Sequence, residues 1–306
     1  MKKSIYETLT ASEQIAGAYE GWRDYRRKIT DYIEDAVATY PKRKPVVCIW
    51  GAGASNDIDL ERLGRNCHLI LVDRDKNALN AAKRQYQLDD TVLLTDIPFW
   101  HIEDDTYKMF EALLADGADE ELVISLLKHI RESNSGSVKA SNACIADISI
   151  AIGIHSQLNA RLAALLYSYR ENYEEQELLH IGQEISGLNE AAVERLNDLL
   201  YHVTSGDVIY GYELLTVYGD ERAAEKVIRE LETEKTGNVI RKVQTEAAKW
   251  TRQTHMVEGA KQLAKDISLH RGFDMEIVNQ IYLPWNFSFA ENKKTYVMEL
   301  LTCRKL

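Results

Sequence analysis

Residues 46–57 read Val-Val-Cys-Ile-Trp-Gly-Ala-Gly-Ala-Ser-Asn-Asp, and no other stretch limits the possible folds as much. An apolar, β-favouring run enters Gly51-Ala52-Gly53 directly. A helical pattern follows, with Ile58, Leu60 and Leu63 apolar, and then a second apolar run, His68 to Val72, that ends at Asp73. The order is strand, glycine turn, helix, strand, acid. Glycines let a backbone approach a ligand closely, and a helix N-terminus offers unpaired N–H groups. An acid closing the second strand accepts hydrogen bonds from both hydroxyls of a ribose. Gly53 and Asp73 have the sequence separation that this geometry needs. The pattern is that of a nucleoside-binding βαβ unit. It is also compatible with a strand, turn and helix that hold no ligand.

Two cofactor classes use such a unit. A nicotinamide fingerprint places a third glycine three residues after the second, for close helix–strand packing over a pyrophosphate. Here that position is Asn56, and acidic Asp57 follows. A carboxylate repels a pyrophosphate but tolerates a cationic amino group. On these residues the chain resembles the class I S-adenosylmethionine-dependent methyltransferases, with Gly51-Ala52-Gly53 similar to their first motif and Leu71-Val72-Asp73-Arg74-Asp75 to their second. The resemblance implies S-adenosyl-L-methionine as cofactor, held by Gly51, Ala52, Gly53, Asp73 and Arg74. Ile49 stands where that family often has an acid, so Asp57 is expected to hold the amino-acid end of the cofactor. The resemblance further implies that Asp96 and Ile97, closing a third strand over 91–96, meet the adenine, and that Gly153 lines the site from the fourth. Asp96 reads equally as a helix cap.

The second candidate site is the end of the apolar run 146–154, Gly153-Ile154-His155-Ser156-Gln157. Ligands of doubly wound sheets lie outside the carboxyl ends of the strands, which puts these residues near the transferable group. His155 is the candidate catalytic residue, a general base, because imidazole titrates near neutral pH. The alternative is a polar turn residue before a helix capped by Ser156 or Asn159. The Asn/Asp-Pro-Pro-aromatic motif of amino-methylating DNA and protein enzymes is missing here.

Around these sites the chain divides into an N-terminal helical segment, 1–43, and a body, 44–306, with helical insertions at about 98–144 and 217–256. In the first, Ile15, Tyr19, Trp22, Tyr25, Ile29 and Ile33 form one apolar helical face, which either anchors to the sheet or lines the site. A fifth strand over 208–215 brings Tyr212 and Glu213 to its carboxyl end. Runs at 275–283 and 295–301, the first interrupted by Pro284-Trp285-Asn286, pair as an antiparallel hairpin. The resulting expectation is an α/β fold: a doubly wound seven-stranded sheet with a C-terminal antiparallel hairpin, N-terminal helices and helical insertions.

Composition narrows the function. A net charge of −11 disfavours nucleic acid as a partner, because that needs basic surface. No 18-residue apolar run is present, the first residues lack the apolar stretch of a signal peptide, and the four cysteines show neither metal-ligand spacing nor a disulfide frame. A cytoplasmic protein with no metal site is expected. With the resemblance, the expected activity is methyl transfer to a small molecule or peptide. The alternatives are another S-adenosylmethionine- or nicotinamide-binding enzyme, or a non-catalytic cofactor-binding protein.

Overall fold

The computed structural model describes residues 4–11, 17–89, 92–95, 99–136, 145–218, 221–233, 243, 255–256, 275–287 and 294–306. The expectations for Ile15, Asp96 and Ile97 lie outside the described residues. The strands are β1 (Val46–Trp50), β2 (His68–Val72), β3 (Leu93–Thr95), β4 (Ala146–Ile152), β5 (Thr204–Tyr218), β6 (His255–Met256), β7 (Met275–Asn286) and β8 (Lys294–Lys305). They form one eight-stranded sheet in the order β3-β2-β1-β4-β5-β8-β7, with two-residue β6 added beside β5. Pairing is parallel from β3 through β5. β8 runs antiparallel to both β5 and β7, so it is the one reversed strand of the main order. The fold is Rossmann-like, and the hairpin expected at the C-terminus closes it.

Strands β1 and β4 are almost continuously apolar because both faces of the sheet are covered. Val47 and Ile49 of β1 sit beside Ile148 and Ile150 of β4. These four residues face α3 (Arg23–Thr39), α4 (Leu60–Gly64) and α5 (Lys76–Gln85). Cys48, Trp50 and Tyr210 face the other way, toward α9 (Glu175–Val203) and α10 (Glu221–Leu231). The expected apolar face of the N-terminal segment is buried in the first of these layers, through Trp22, Tyr25, Ile29 and Ile33.

Helix α9 has 29 residues and is about 43 Å long, whereas seven-residue β4 spans only about 23 Å. Its last part, Val193 to Val203, packs on the sheet. The excess, Ile181 to Ala192, joins a separate apolar core with α1 (Ile5–Ala11), α6 (Asp104–Ala115), α7 (Glu120–Ser133) and α8 (Ala160–Ser168). Helices α6 and α8 follow the carboxyl ends of β3 and β4, so this cluster stands beyond that edge of the sheet. Among the described residues, no helix is long and apolar enough to cross a membrane.

Three expectations need correction. The sheet has eight strands rather than seven, because β6 adds a short piece to β5. The helix after the glycine turn begins only at Leu60 and has five residues. Its N-terminus is capped by Asp59, whose side chain accepts the Arg62 N–H and places a negative charge there. Finally, Pro284 does not interrupt β7, where it lies opposite Val297. β7 ends the strand order, and an edge strand tolerates a residue without an N–H.

Close packing of β4 on β5 gives a stability test. A Cβ on Gly211 would lie 2.7 Å from Cγ1 of Ile152. Gly211→Ala should therefore cost about 1–3 kcal/mol in denaturant unfolding, as overpacking does. An unchanged midpoint would show that β4 and β5 are not packed this closely.

Candidate active site

The glycine turn after β1 is held to the end of β2 by three backbone donors. Gly51 and Ala52 donate to the Val72 carbonyl at 2.9 and 3.1 Å, and Gly53 donates to Asp73 Oδ2 at 2.8 Å. Gly51 has φ 68°, and a Cβ there would lie 2.8 Å from Ile154 Cδ1. Both the left-handed backbone and the close approach of the β4 loop therefore require glycine at this position. Gly53 also has positive φ, 49°, but a Cβ there would meet only Asp73, at 4.0 Å. Its conformation needs glycine more than its space does.

Residues 54–59 are pinned from the helix side. The buried Arg26 guanidinium donates to the carbonyls of Asn56 (2.9 Å) and Tyr19 (2.6 Å) and lies 4.0 Å over the Tyr19 ring. The Tyr86 hydroxyl is 2.7 Å from the Ser55 carbonyl and 2.8 Å from that of Ile58, and the Asp59 N–H donates to Thr30 Oγ1. This bracing replaces the longer helix expected from the sequence.

Asp73 closes β2 half-buried. Oδ2 accepts the Gly53 N–H and Oδ1 the Asp75 N–H, each at 2.8 Å. Each oxygen keeps a lone pair for a further donor. Burial raises the carboxyl's pKa, and the two N–H donors oppose that rise. Arg74, next in sequence, is exposed and lies beside the Tyr107 hydroxyl of α6.

A second acidic group lies across the same edge. Glu213 sits where β5 bulges against β8, between its pairings Glu213↔Met298 and Leu215↔Val297. Such bulges re-aim side chains. The carboxyl is buried, accepts the Ser156 hydroxyl at 3.1 Å, and lies 3.8 Å from where a Gly153 Cβ would be. Burial pushes it up to about 7; Ser156 and the Lys294 ammonium pull it down, and Asp57 pushes it further up. Asp57 is half-buried, and burial pushes its carboxyl up to about 6 against the attraction of Arg26. The Tyr25 hydroxyl is buried without a partner and feels both carboxyls, which together with burial hold its pKa well above the ordinary phenol value. Gly51, Gly53, Asp57, Asp73 and Gly153 therefore share one edge with Ser156, Glu213, Tyr25 and Lys294. Ala52 lies in the same turn, but it is buried against the α3 side of the sheet.

His155 does not join them. Its ring is fully buried; Nε2 lies 3.1 Å from Asn197 Oδ1 on α9, and the ring lies 5.9 Å from that of Tyr210. Burial lowers its pKa to about 4, against the Asn197 hydrogen bond. Nε2 is taken by Asn197 and the ring stands with Tyr210 on the α9 side of the sheet, away from Tyr25 and the α3 side, so the geometry does not support the general-base expectation. Its neighbour Ser156 points to the site instead. Tyr212, expected beside Glu213, faces the opposite side of β5 and bonds to Glu299. Lys294 escaped notice in the sequence. Its charge acts on Glu213 because β8 pairs with β5, and no local pattern announces that relation.

No family model and no curated protein matches the chain. Solved structures are similar to it only loosely. Magnesium protoporphyrin IX methyltransferase from Synechocystis PCC 6803 with bound S-adenosylhomocysteine aligns over 98% of this chain and 93% of that one, at 10% identity and a TM-score of 0.44. An N-methyltransferase from Bradyrhizobium japonicum WM9 in complex with S-adenosylhomocysteine aligns over 99% of both chains, at 9% identity and a TM-score of 0.44. A putative RNA methyltransferase from Pyrococcus horikoshii aligns over 100% of both, at 9% identity and 0.40. Likeness of this kind assigns no role to any residue.

Glu213 allows a test through stability. The folded carboxyl keeps its proton up to about pH 7, whereas an ordinary glutamate loses it near 4.5. Between these values the folded state binds more protons. The group's favourable contribution is complete below pH 4.5 and is lost as the pH rises through 7. Glu213→Gln removes the buried charge. It should stabilise the fold at pH 8 by up to about 3 kcal/mol, with the gain disappearing below pH 5. Urea unfolding of both proteins at the two pH values measures this. A variant less stable at pH 8 would mean that the ionised carboxylate is fully compensated in the fold.

Proposed function

We propose that this protein is an S-adenosylmethionine-dependent methyltransferase acting on a small molecule or a peptide. The observation that carries the reading is the Asp73 carboxylate. It stands at the end of β2 against the Gly51–Gly53 turn, with one lone pair on each oxygen left for the two hydroxyls of a ribose. The fold supports it as well. The last strand, β8, is antiparallel, in keeping with the C-terminal antiparallel hairpin expected, and lies between β5 and β7.

The residues fit the cofactor. Gly51 and Gly53 give a turn without side chains toward the ligand, and Gly153 does the same from the end of β4. Asp57 is the acid for the cationic amino-acid end, because among the described residues its carboxyl lacks a side-chain hydrogen-bond donor while Arg26 only attracts it from nearby. Asp57 thus takes the part of the family acid missing at Ile49. Arg74, Asp96 and Ile97 remain assigned by resemblance alone. S-adenosylmethionine supplies an electrophilic methyl group on a sulfonium. The chain's own task is to orient the acceptor and exclude water, which the helices beyond the strand ends are placed to do. The division into segment 1–43 and body 44–306 belongs to this proposal. So does the cytoplasmic setting.

Calorimetric titration with S-adenosylhomocysteine and with NADH tests the reading. S-adenosylhomocysteine should bind and NADH should not. Asp73→Asn removes the charge that meets the ribose and should weaken S-adenosylhomocysteine at least about tenfold, the worth of one charge-assisted hydrogen bond or more. Thermal unfolding run alongside checks that the turn survives. Binding of NADH in place of S-adenosylhomocysteine, or unchanged affinity in Asp73→Asn, would overturn the assignment.

A further inference from the structure

The end of the site farthest from Asp73 carries chemistry that a nucleoside does not use. Glu213 stands three strand spacings from β2, about 14 Å across the sheet. Ser156 is the only side-chain hydrogen-bond donor to its carboxylate among the described residues, so lone pairs remain. The Tyr25 hydroxyl nearby has no partner, although it is buried. The Tyr25 ring stacks on Trp285 at 4.9 Å, and Trp285 in turn meets Tyr296 at 5.7 Å. The Lys294 ammonium lies 4.6 Å from the centre of the Tyr296 ring and is attracted to Glu213.

A carboxylate with free lone pairs and an unpartnered phenol oxygen are groups that hold an alkylammonium, and aromatic rings packed around them favour a cation. The carboxylate repels a carboxylate or phosphate. Lys294, at the half-buried start of β8, already holds an ammonium over the Tyr296 ring, and its charge favours the Glu213 carboxylate.

We propose that the acceptor is an alkylamine, and that its protonated nitrogen is bound by Glu213 and Tyr25 beside the Trp285–Tyr296 aromatic faces. The transfer step after binding rests on the methyltransferase reading. The site also suits the step that an ammonium needs before it becomes a nucleophile. One N–H proton passes to a Glu213 carboxylate oxygen, and the nitrogen regains its lone pair. Every charged or titratable neighbour of Glu213 bears on that transfer. Ser156 after β4 and Lys294 on β8 favour the carboxylate. Asp57 in the β1 loop favours the protonated acid, and the neutral Tyr25 of α3 lies close by. The balance leaves the carboxyl near neutrality, where a base both ionises and accepts a proton.

The test uses protein saturated with S-adenosylhomocysteine, titrated with n-propylammonium chloride, n-propanol and sodium propionate. Indole N–H resonances report binding by NMR. Propylammonium should bind about tenfold or more tightly than propanol, and propionate should not bind. Glu213→Gln, itself saturated with S-adenosylhomocysteine and checked by thermal unfolding, should lose the preference. Lys294→Met removes the resident ammonium and should tighten propylammonium, an effect of opposite sign that a merely structural role would not produce. Equal binding of propanol, tighter binding of propionate, or a preference that survives in Glu213→Gln would overturn the proposal. If the wild-type protein does not bind S-adenosylhomocysteine, the methyltransferase reading falls. The same titrations without it then uphold or overturn the amine site independently.

Discussion

The junction of β1 and β2 sets the geometry of everything near the site. Three consecutive N–H groups, of Gly51, Ala52 and Gly53, turn back onto the Val72 carbonyl and the Asp73 carboxylate. A chain leaving a parallel strand normally has to cap its last donors with water or a helix. Here the neighbouring strand accepts them, and the turn stays flat against the sheet edge. Positive φ at Gly51 and Gly53 is the condition for that path, and Ile154 presses on Gly51 from the β4 side. The ends of β1, β2 and β4 thereby become one surface.

Buried acids are the cost of that surface. Asp57 and Glu213 sit together where the sheet edge meets α3, and among the described residues neither forms a salt bridge. Desolvation holds both as partly protonated groups near neutrality, and Asp57 makes Glu213 harder still to ionise. Elsewhere the chain treats buried acids differently. Asp207 has a two-pronged Arg304 guanidinium, and Glu111 accepts hydrogen bonds from the start of α1 and from the Tyr169 hydroxyl. The contrast sets the Asp57–Glu213 edge apart, because here two acids are buried without an ion-pair partner among the described residues, at a cost in stability. His155 shows the opposite use of a titratable group. Buried neutral, it resists protonation to about pH 4, and acidification from 6.5 to 4 favours the unfolded chain.

Helix α9 links the two halves of the molecule. One face of its last turns belongs to the sheet core and its first turns to the helical cluster, so a single rigid rod sets how the cluster stands over the strand ends. Asn197 and Asn189, both on this rod, hold the ring and the carbonyl of His155. They thus fix the loop from which Ser156 reaches Glu213.

The sequence by itself determined the elements whose signals are local. Two apolar runs around a Gly-x-Gly turn gave β1, β2 and Asp73, since strand burial and positive φ leave direct marks in residue type. Apolar periodicity likewise gave the face of α3 that carries Trp22 and Tyr25. Only the tertiary structure decided what depends on distant pairing. Which face of β5 meets α3, and so which of the alternating Tyr212 and Glu213 joins the site, follows from the packing of the helices. The antiparallel pairing of β8 brings the Lys294 charge to bear on Glu213. The burial of His155 depends on α9, 42 residues further along the chain at Asn197. A titratable residue at a strand end looks the same in sequence whether it faces solvent, ligand or core. Its environment, and with it its charge, is set by elements that sequence spacing does not bring together.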